Sequence, residues 1–530
     1  MSVMAPYHSP MAPGSDGFGS LLRAEWTKFR SVRGWVIGLL VGLLLITGLG
    51  ALTGANSICS FSPAGGPAQA CPAPPTGPGG EWVSDAFYFV HQPLGTSGSL
   101  TVRVTSLTGL YATHPGVSAA GALTGMNPGV QPWAKAGIIV KASTIQGSAY
   151  AAIMVTGSHG VRMQWDYVND TPGLAGQVSA ASPRWLRLTR SGDVIRGYDS
   201  ADGVHWTLVG TATLAGLPAI AQGGLFAATP GYTRNSTSLG GASSTGGPAL
   251  ATGTFDDTSR QGAWPATSWT GQDIAGPADN GLPTSALGYR ETAGTFTVTG
   301  SGDIAPAGGG SAGGSSIQQT LTGTFAGLIA VVVVGVMFVT AEYRRGLIRT
   351  TYAASPRRGR VLAAKAVVLA AVTFAAGLVA VLVTVPLSEH LLKENGNPIP
   401  PLSALTQARI MVGTAALLAV TAVFALAVGM LLRRSAGAVT AVIAAVVLPY
   451  LLAILPGVLP AAGEDWLARL TPAAGFAIQQ SFSAYPQVDG TYRVVNGYFP
   501  LAPWAGFAVL CAWTAAAFTL AVFMLRRRDV

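Results

Sequence analysis

The residues best suited to binding chemistry lie mid-chain, where tryptophans recur among short alternating segments: Trp133, Trp165, Trp185 and Trp206. Such side chains could contact a glycan by stacking on its sugar rings, but aromatic residues also fill hydrophobic cores, and we favour packing in a β-sandwich core. The sequence has no closely spaced pair of acids on one strand of the kind that glycoside hydrolysis requires. Its six histidines are scattered without zinc-ligand spacing. We therefore predict no catalytic residue and no metal site.

A second candidate is the basic segment Glu342–Lys365, which has seven Lys/Arg residues against one acid and separates two long apolar runs. One interpretation is a topology anchor that contacts only lipid headgroups. The other is a docking segment that receives force from a cytoplasmic partner, with a short helix that Ser355-Pro356 would end. The predicted docking residues are Glu342, Arg344, Arg345, Gly346, Leu347, Ile348 and Arg349.

The composition indicates a membrane protein. Apolar residues make up 49% of the 530-residue chain and charged residues only 10%, which is unusual for a soluble protein. Sixteen of the 31 Lys/Arg residues lie in four clusters beside apolar runs, at 23–33, 344–365, 433–434 and 526–528. Because basic residues that flank membrane spans stay in the cytoplasm, the net charge of +9 reports orientation and does not indicate nucleic-acid binding.

Six apolar runs have about the 20 residues needed to cross a bilayer. The predicted spans are 34–55, 318–341, 366–387, 410–432, 436–460 and 503–525. This arrangement places both termini and 342–365 in the cytoplasm and 56–317 and 461–502 outside a bacterial plasma membrane. We find no Asp, Glu, Lys, Arg or His inside these spans and no Gly-x-x-x-x-Gly-Lys-[Ser/Thr] phosphate loop. We therefore expect neither ion coupling nor nucleotide binding by this chain.

The chain begins with a Pro/Gly/Ser-rich stretch, 1–19, that we predict to be a disordered cytoplasmic tail. Residues 20–33 then predict an amphipathic helix lying on the inner membrane surface. Leu22, Trp26, Phe29 and Val32 share its apolar face, and the predicted interfacial residues are Leu22, Glu25, Trp26 and Phe29. At the other end, 526–530 forms a short basic cytoplasmic tail.

Between the first two spans, alternating segments at 100–107, 136–141, 161–165 and 185–190 predict strands. Many strands without helices indicate an all-β sandwich, which we place at about 81–256. Asp202-Gly203 predicts a tight hairpin, and the Gly/Ser-rich stretch 301–316 predicts a flexible tether. Cys59 and Cys71, on the predicted outer side, are candidates for a disulfide that closes a short ring.

Three segments carry a resemblance to a known family. Leu22–Arg33 runs directly into a span, 342–351 is followed by Pro356-Arg-Arg-Gly-Arg360, and Phe499–Gly506 precedes the last span. Together they resemble permeases of actinobacterial ATP-binding cassette (ABC) type-two exporters, over roughly 1–55 and 318–530. The resemblance implies a six-helix permease that pairs with a second permease copy or a homologous permease. It also implies cytoplasmic ATPase subunits, which bind ATP and Mg, and an ATPase-facing surface made of the amphipathic helix and the basic segment.

The β-rich region has a resemblance of its own, carried by 133–140, 160–165, 184–190 and 202–206. These segments look like the concanavalin-like lectin/glucanase sandwich, a jelly-roll fold many of whose members bind or cleave sugars. The fold class that we expect is therefore an all-α six-helix membrane permease domain, with an extracellular all-β sandwich inserted between helices 1 and 2. A sandwich of this size departs from the short loop typical of the permease class, and it leaves the cargo open.

Three functions follow as hypotheses. The first is the membrane subunit of an ATP-driven exporter, in contact with the lipid bilayer, whose sandwich contacts cargo or cell-wall glycan. The second is a membrane-anchored protein that binds or senses the cell wall and moves nothing. The third, an anchored glycosidase, is disfavoured by the missing acids. A mere anchor needs one or two spans, so the six predicted spans favour the first hypothesis.

Overall fold

The computed structural model describes residues 17–61, 69–117, 123–238, 241–265, 268–275, 282–307, 317–354, 357–455, 458–488, 492, 494 and 497–527. Several predictions fall outside these residues: disorder at 1–16, most of the tether (308–316), the helix stop at Ser355-Pro356 and the end of the basic tail at 528–530.

The helical part of the described chain has six helices that are long and apolar enough to cross a membrane. These are α2, α4, α6, α7, α8 and α10 in the following order of α-helices: α1 Phe18–Ser31, α2 Arg33–Asn56, α3 Ile317–Thr320, α4 Thr324–Arg344, α5 Leu347–Ala354, α6 Arg358–Glu394, α7 Ala404–Leu432, α8 Ser435–Ile454, α9 Ala461–Leu470 and α10 Pro503–Arg527. A 3-10 helix, Pro472–Gln479, follows α9. The six long helices share one apolar core.

The helices differ from the predicted spans mainly around the basic segment. Helix α4 continues to Arg344, α5 occupies 347–354, and α6 already begins at Arg358. The segment 342–365 is therefore largely helical and not a free loop. An apolar run marks only the part of a helix that lies in hydrocarbon, whereas backbone hydrogen bonds continue beyond it.

The predicted spans contain no Asp, Glu, Lys, Arg or His, but the helices extend beyond these spans and there include such residues. Helix α6 contains Lys365 near its start and Glu389, His390 and Lys393 near its end, and Glu342 lies in the last turn of α4. Glu342 and Lys365 are buried. Both residues lie where helices extend past the apolar runs, so hydropathy alone counted them as loop.

The β-rich part contains twenty-one strands in the described residues. In chain order they are β1 Ser60–Phe61, β2 Gln69–Ala70, β3 Val83–Asp85, β4 Tyr88–Leu94, β5 Ser97–Val117, β6 Leu123–Pro128, β7 Lys135–Lys141, β8 Tyr150–Thr156, β9 Val161–Trp165, β10 Asn169–Pro172, β11 Arg184–Ser191, β12 Val194–Ser200, β13 Thr207–Thr213, β14 Ala221–Ala228, β15 Tyr232–Ser238, β16 Gly241–Gly247, β17 Ala249–Gly262, β18 Thr270–Asp273, β19 Gly288–Thr292, β20 Thr295–Gly300 and β21 Ile304–Pro306.

Two antiparallel sheets dominate this β domain. The seven-stranded sheet has the order β10-β9-β8-β7-β14-β4-β18. The eight-stranded sheet has the order β13-β12-β11-β5-β17-β20-β19, with β6 paired to β5. Buried apolar side chains from both sheets meet in one cluster, such as Ile138 and Ile153 with Val102 and Leu186. The β domain is therefore a two-sheet sandwich.

The sandwich extends further along the chain than the predicted end at 256. Strand β20 pairs with β17 and contributes Phe296 and Val298 to the core, and β21 pairs with β3. Ile304 and Ala305 are buried, so the first part of the predicted tether is a strand. The predicted tight hairpin at Asp202-Gly203 is also wrong, because these residues belong to the longer loop 201–206 between β12 and β13.

Among the described residues, two sets of contacts link the β-rich part to the helical part. Cys59 and Cys71 form a disulfide with their Cα atoms 5.6 Å apart. Their backbone N–H groups donate to Asn395 O and Gly396 O just beyond α6, at 3.1 and 3.2 Å. In the second contact, the fully buried Gln487 donates from Nε2 to Tyr167 O at 2.9 Å. The β domain is thus held at the end of the bundle where α6 terminates.

Candidate functional site

The four basic clusters meet at one end of the helix bundle, which we call the basic end. Lys28 of α1 contacts Glu342 at the end of α4. The Arg433 guanidinium lies over the Tyr343 ring at 5.0 Å, and Arg358 Nη1 donates to Leu525 O at 3.1 Å. The loops that carry these clusters are far apart in sequence, so their convergence is a property of the packed bundle.

Helix α1 packs on this end through most of its predicted apolar face, with Trp26 as the exception. Glu25 and Phe29 are buried, while Leu22 and Val32 pack at the edge of the core. Trp26, predicted on the apolar face, is 46% exposed. One side of the helix therefore packs against other helices, and Trp26 is accessible to lipid or to a partner protein.

Four charged side chains join α1 to α4 and α6 in a closed ring. Lys365 Nζ donates to Glu25 Oε2 at 2.7 Å and to Glu342 Oε1 at 2.6 Å. Lys28 Nζ donates to the same two carboxylates, at 3.0 Å to Glu25 and 3.2 Å to Glu342. We call these residues the charge ring. Two lysines and two glutamates balance, so the ring carries no net charge.

The surroundings of the charge ring are apolar. Lys365 is 1% exposed along its side chain, and its Nζ lies 4.8 Å from the centre of the Phe338 ring. Phe29 and Trp35 pack edge-on to the same Phe338 ring, at 5.6 and 4.9 Å. Breaking a buried ion pair leaves an uncompensated charge and is strongly destabilising. The charge ring therefore fixes the position of α1 on the bundle.

The predicted docking residues separate into buried and exposed groups. Glu342 belongs to the charge ring and Ile348 is 3% exposed, so neither is available to a partner, contrary to our expectation. Arg344, Arg345, Gly346 and Leu347 are exposed. The side chain of Arg349 is outside the described residues. Gly346 has φ of +69°, a conformation that glycine adopts without strain, and it makes the turn between α4 and α5.

The pairing of Glu25 with Lys365 was not predicted from the sequence. A signal was present, because Glu25 lies four residues before Phe29 and therefore on the apolar face of α1. An acid on such a face needs a cation when the face is buried. Nothing in the sequence indicates that this cation is Lys365, which is 340 residues away.

The four tryptophans of the β domain do not form one surface. Trp133 is 2% exposed and stacks on His159 with ring centres 4.0 Å apart, and Trp165 packs against the sandwich core. Trp185 and Trp206 are half-buried and lie outside that core. Among the described residues, no group of three or more His, Cys, Asp or Glu side chains could hold a metal ion.

These features define a class: a multi-pass membrane protein of six helices that carries a β-sandwich and collects its basic residues at one end. The family model described as ABC-2 family transporter protein matches residues 228–530, more than half of the 530-residue chain. The chain belongs to the ABC-2 transporter family and is a permease subunit. The match begins inside the sandwich, so the region matched by the family model includes the last strands of the β domain as well as five of the six long helices.

A search of curated proteins finds no significant match. Solved structures similar to part of this chain include a functionally unknown protein from Saccharomyces cerevisiae, with 17% identity over 34% of this chain and 76% of that chain and a TM-score of 0.20. A mutant of the GH43 protein BlXynB from Bacillus licheniformis has 15% identity over 25% of this chain and 24% of that chain, with a TM-score of 0.16. SCP-B of the eqolisin peptidase family has 7% identity over 40% of this chain and 98% of that chain, with a TM-score of 0.24. TM-scores this low support no conclusion about the fold or function of the β domain.

Proposed function

We propose that this permease works as the membrane subunit of an ATP-driven exporter and that its basic end docks a cytoplasmic ATPase. Membership of the ABC-2 family implies an ABC ATPase partner. In this proposal the partner binds ATP and Mg, and a second permease copy or a homologous permease completes the transporter. The concanavalin-like β domain lies outside the cell and contacts cargo or cell wall.

The observation that carries the proposal is the exposed Leu347 at the start of α5. It is 49% exposed and directly follows the turn that carries the exposed Arg344 and Arg345. An apolar side chain beside two cations suits a partner surface with an apolar groove and an acidic rim. The adjacent Ile348 is buried in the bundle, so force applied at Leu347 passes directly into packed helices.

The first test replaces Leu347 with Ser in the tagged full-length chain. We expect recovery of the ATPase to fall about tenfold, since losing a half-buried Leu contact weakens an interface by about 1–1.5 kcal/mol. The measurement is co-purification from the native host, and the recovered partner must contain a phosphate loop and hydrolyse ATP. Permease abundance should stay normal.

Leu405→Ser is the matched control, because Leu405 is 84% exposed and lies at the start of α7, away from the basic end. It should leave ATPase recovery unchanged. Ile348→Ser is unsuitable, since it would perturb the bundle itself. If Leu347→Ser retains both the ATPase and transport, α5 is not the docking element. If the unmodified chain recovers no ATPase, the alternative of a wall-binding or sensing protein without transport is favoured.

The orientation is tested separately by labelling single cysteines with a membrane-impermeant maleimide, in a chain whose free Cys511 is replaced by Ala. Thr207→Cys, exposed on β13, should react in intact cells, and Arg345→Cys, exposed at the basic end, only after permeabilisation. The reason is that Lys/Arg-rich loops remain cytoplasmic. The reverse labelling pattern would exclude the proposed topology.

A further inference from the structure

The arginines on the outer face of the eight-stranded sheet differ in whether a carboxylate pairs with them. The side chains of 185, 187 and 189 on β11 point away from the core, because Leu186 and Leu188 point into it. Thr189 pairs with Arg196 of β12 and Arg187 with Tyr198, so Arg187 and Arg196 lie on the same outer face as diagonal neighbours. Such neighbours on paired strands are about 7–8 Å apart.

Arg187 is held in a defined position. Its Nε donates to Thr101 Oγ1 at 3.0 Å, and its guanidinium carbon lies 3.8 Å from the centre of the Trp206 ring. Trp206 is fixed in turn by an Nε1–H donated to Gly203 O at 3.1 Å. Asp202 organises this loop by accepting from the backbone N–H groups of Val204 and His205, both at 2.8 Å. The guanidinium plane is therefore preorganised on a rigid support.

The charges of Arg187 and Arg196 are not neutralised within the described part of the chain. Arg103 on the same face has partners, with Nε 2.7 Å from Asp256 Oδ1 and 3.3 Å from Asp257 Oδ2. No described carboxylate lies within 4.0 Å of the guanidinium of Arg187 or Arg196. This face therefore presents two cations side by side to an external anion.

The tryptophans on this face act as supports. The Arg187 guanidinium covers Trp206, while Arg103 lies 5.6 Å from the centre of the Trp185 ring. The backbone of Gly203 also lies against Trp185, so that a Cβ there would approach Cε2 to 2.8 Å. Rings covered in this way leave little surface for stacking a neutral sugar. A guanidinium supported by a ring instead offers planar paired donors for a carboxylate or phosphate.

The opposite face of the sandwich is closed. The outer surface of the seven-stranded sheet is filled by a second apolar cluster that includes Phe87, Phe89 and Phe226. Gln487, from the segment that follows the 3-10 helix, also reaches that side and is fully buried. A polymer outside the cell therefore has the eight-stranded sheet as the accessible broad face of the β domain.

We propose that this face binds an anionic polysaccharide through Arg187 and Arg196. The inference rests on the proposed function insofar as that function places the β domain outside the cell, and it specifies the acidic class of glycan that the domain contacts. Two arginines on neighbouring strands engage two acidic groups of one extended chain. The interaction is electrostatic, so it weakens as salt rises.

The test measures binding of polygalacturonate to the full chain in nanodiscs of phosphatidylcholine. Arg187→Gln/Arg196→Gln should bind about tenfold more weakly, as expected for lost charge-assisted hydrogen bonds. Arg290→Gln is the matched control, because Arg290 is exposed on β19 of the same sheet; it should stay within about twofold of the unmodified chain on the same scale. Arg187→Lys, which keeps the charge but not the planar fork, should fall between the two.

Several outcomes would overturn this inference. They are no binding of polygalacturonate, equal binding of neutral dextran, an equal loss in Arg290→Gln, or binding of phosphatidylglycerol vesicles in place of the polysaccharide. ATPase recovery is measured on the same variants and should not change. Normal ATPase recovery without polysaccharide binding would defeat this inference alone, whereas retained recovery and transport in Leu347→Ser would defeat the docking proposal alone.

Discussion

Replacing Lys365 with Met is expected to destabilise the helix bundle by about 3–5 kcal/mol, the usual effect of removing one partner from a buried ion pair. The substitution leaves Glu25 and Glu342 close together in an apolar site, with only the half-exposed Lys28 between them. The loss should appear as a lower thermal unfolding temperature in detergent. Because the charge ring attaches α1 to the bundle, hydrogen exchange should also increase most in 18–31.

Two variants make this prediction specific. Lys393→Met removes an exposed lysine from the other end of the same helix, so it should change stability by less than about 1 kcal/mol. Lys365→Met combined with Glu342→Gln should recover part of the loss, because it leaves the Glu25–Lys28 pair neutral. An unfolding temperature for Lys365→Met equal to that of Lys393→Met would show that the charge ring does not fix α1.

Replacing Asp85 with Asn in the β domain is expected to cost a similar amount, about 3–5 kcal/mol. Asp85 Oδ2 accepts from Lys141 Nζ at 2.6 Å and from Tyr167 OH at 2.8 Å, and neither Asp85 nor Lys141 has an exposed side chain. The substitution leaves the Lys141 ammonium buried without a counter-charge. Hydrogen exchange of β7 and β9 in the full chain measures the effect.

The pH dependence gives this prediction a second readout. Burial lowers the pKa of Lys141, and the nearby Asp85 opposes that shift, so the Asp85→Asn variant should lower the pKa further. Between that lowered pKa and the ordinary lysine pKa of about 10.4, the unfolded chain then binds more protons than the folded one. Stability therefore rises with pH in that range, and the deficit of Asp85→Asn should shrink from pH 7 towards pH 10.

Two controls accompany it. Asp85→Asn combined with Lys141→Met removes both charges and should recover much of the stability, since an apolar replacement of a whole buried pair is often nearly neutral. Asp257→Asn changes an acid whose side chain is 53% exposed and should have little effect. A deficit in the double variant as large as in Asp85→Asn would mean that packing, and not charge, is what the site requires.

Local patterns were sufficient to predict the elements of this protein. Apolar runs located all six long helices, because crossing hydrocarbon demands a continuous apolar segment, and alternation located strands such as β5 and β11, because successive side chains of a strand face opposite sides. The basic clusters marked loops that meet at one end of the helix bundle. These features depend on residues close together in the chain.

The tertiary structure decided which residues meet and which stay exposed. It paired Glu25 with Lys365, buried Ile348 while exposing Leu347, and buried Trp133 against His159 but placed Trp206 beneath an arginine. A sequence pattern indicates that a face will be covered, but the covering residue comes from a helix or strand that is distant in the chain. Charged residues at helix ends, such as Glu342 and Lys365, are the hardest to predict. Hydropathy assigns them to loops, and only the packing of α1, α4 and α6 shows that they are buried.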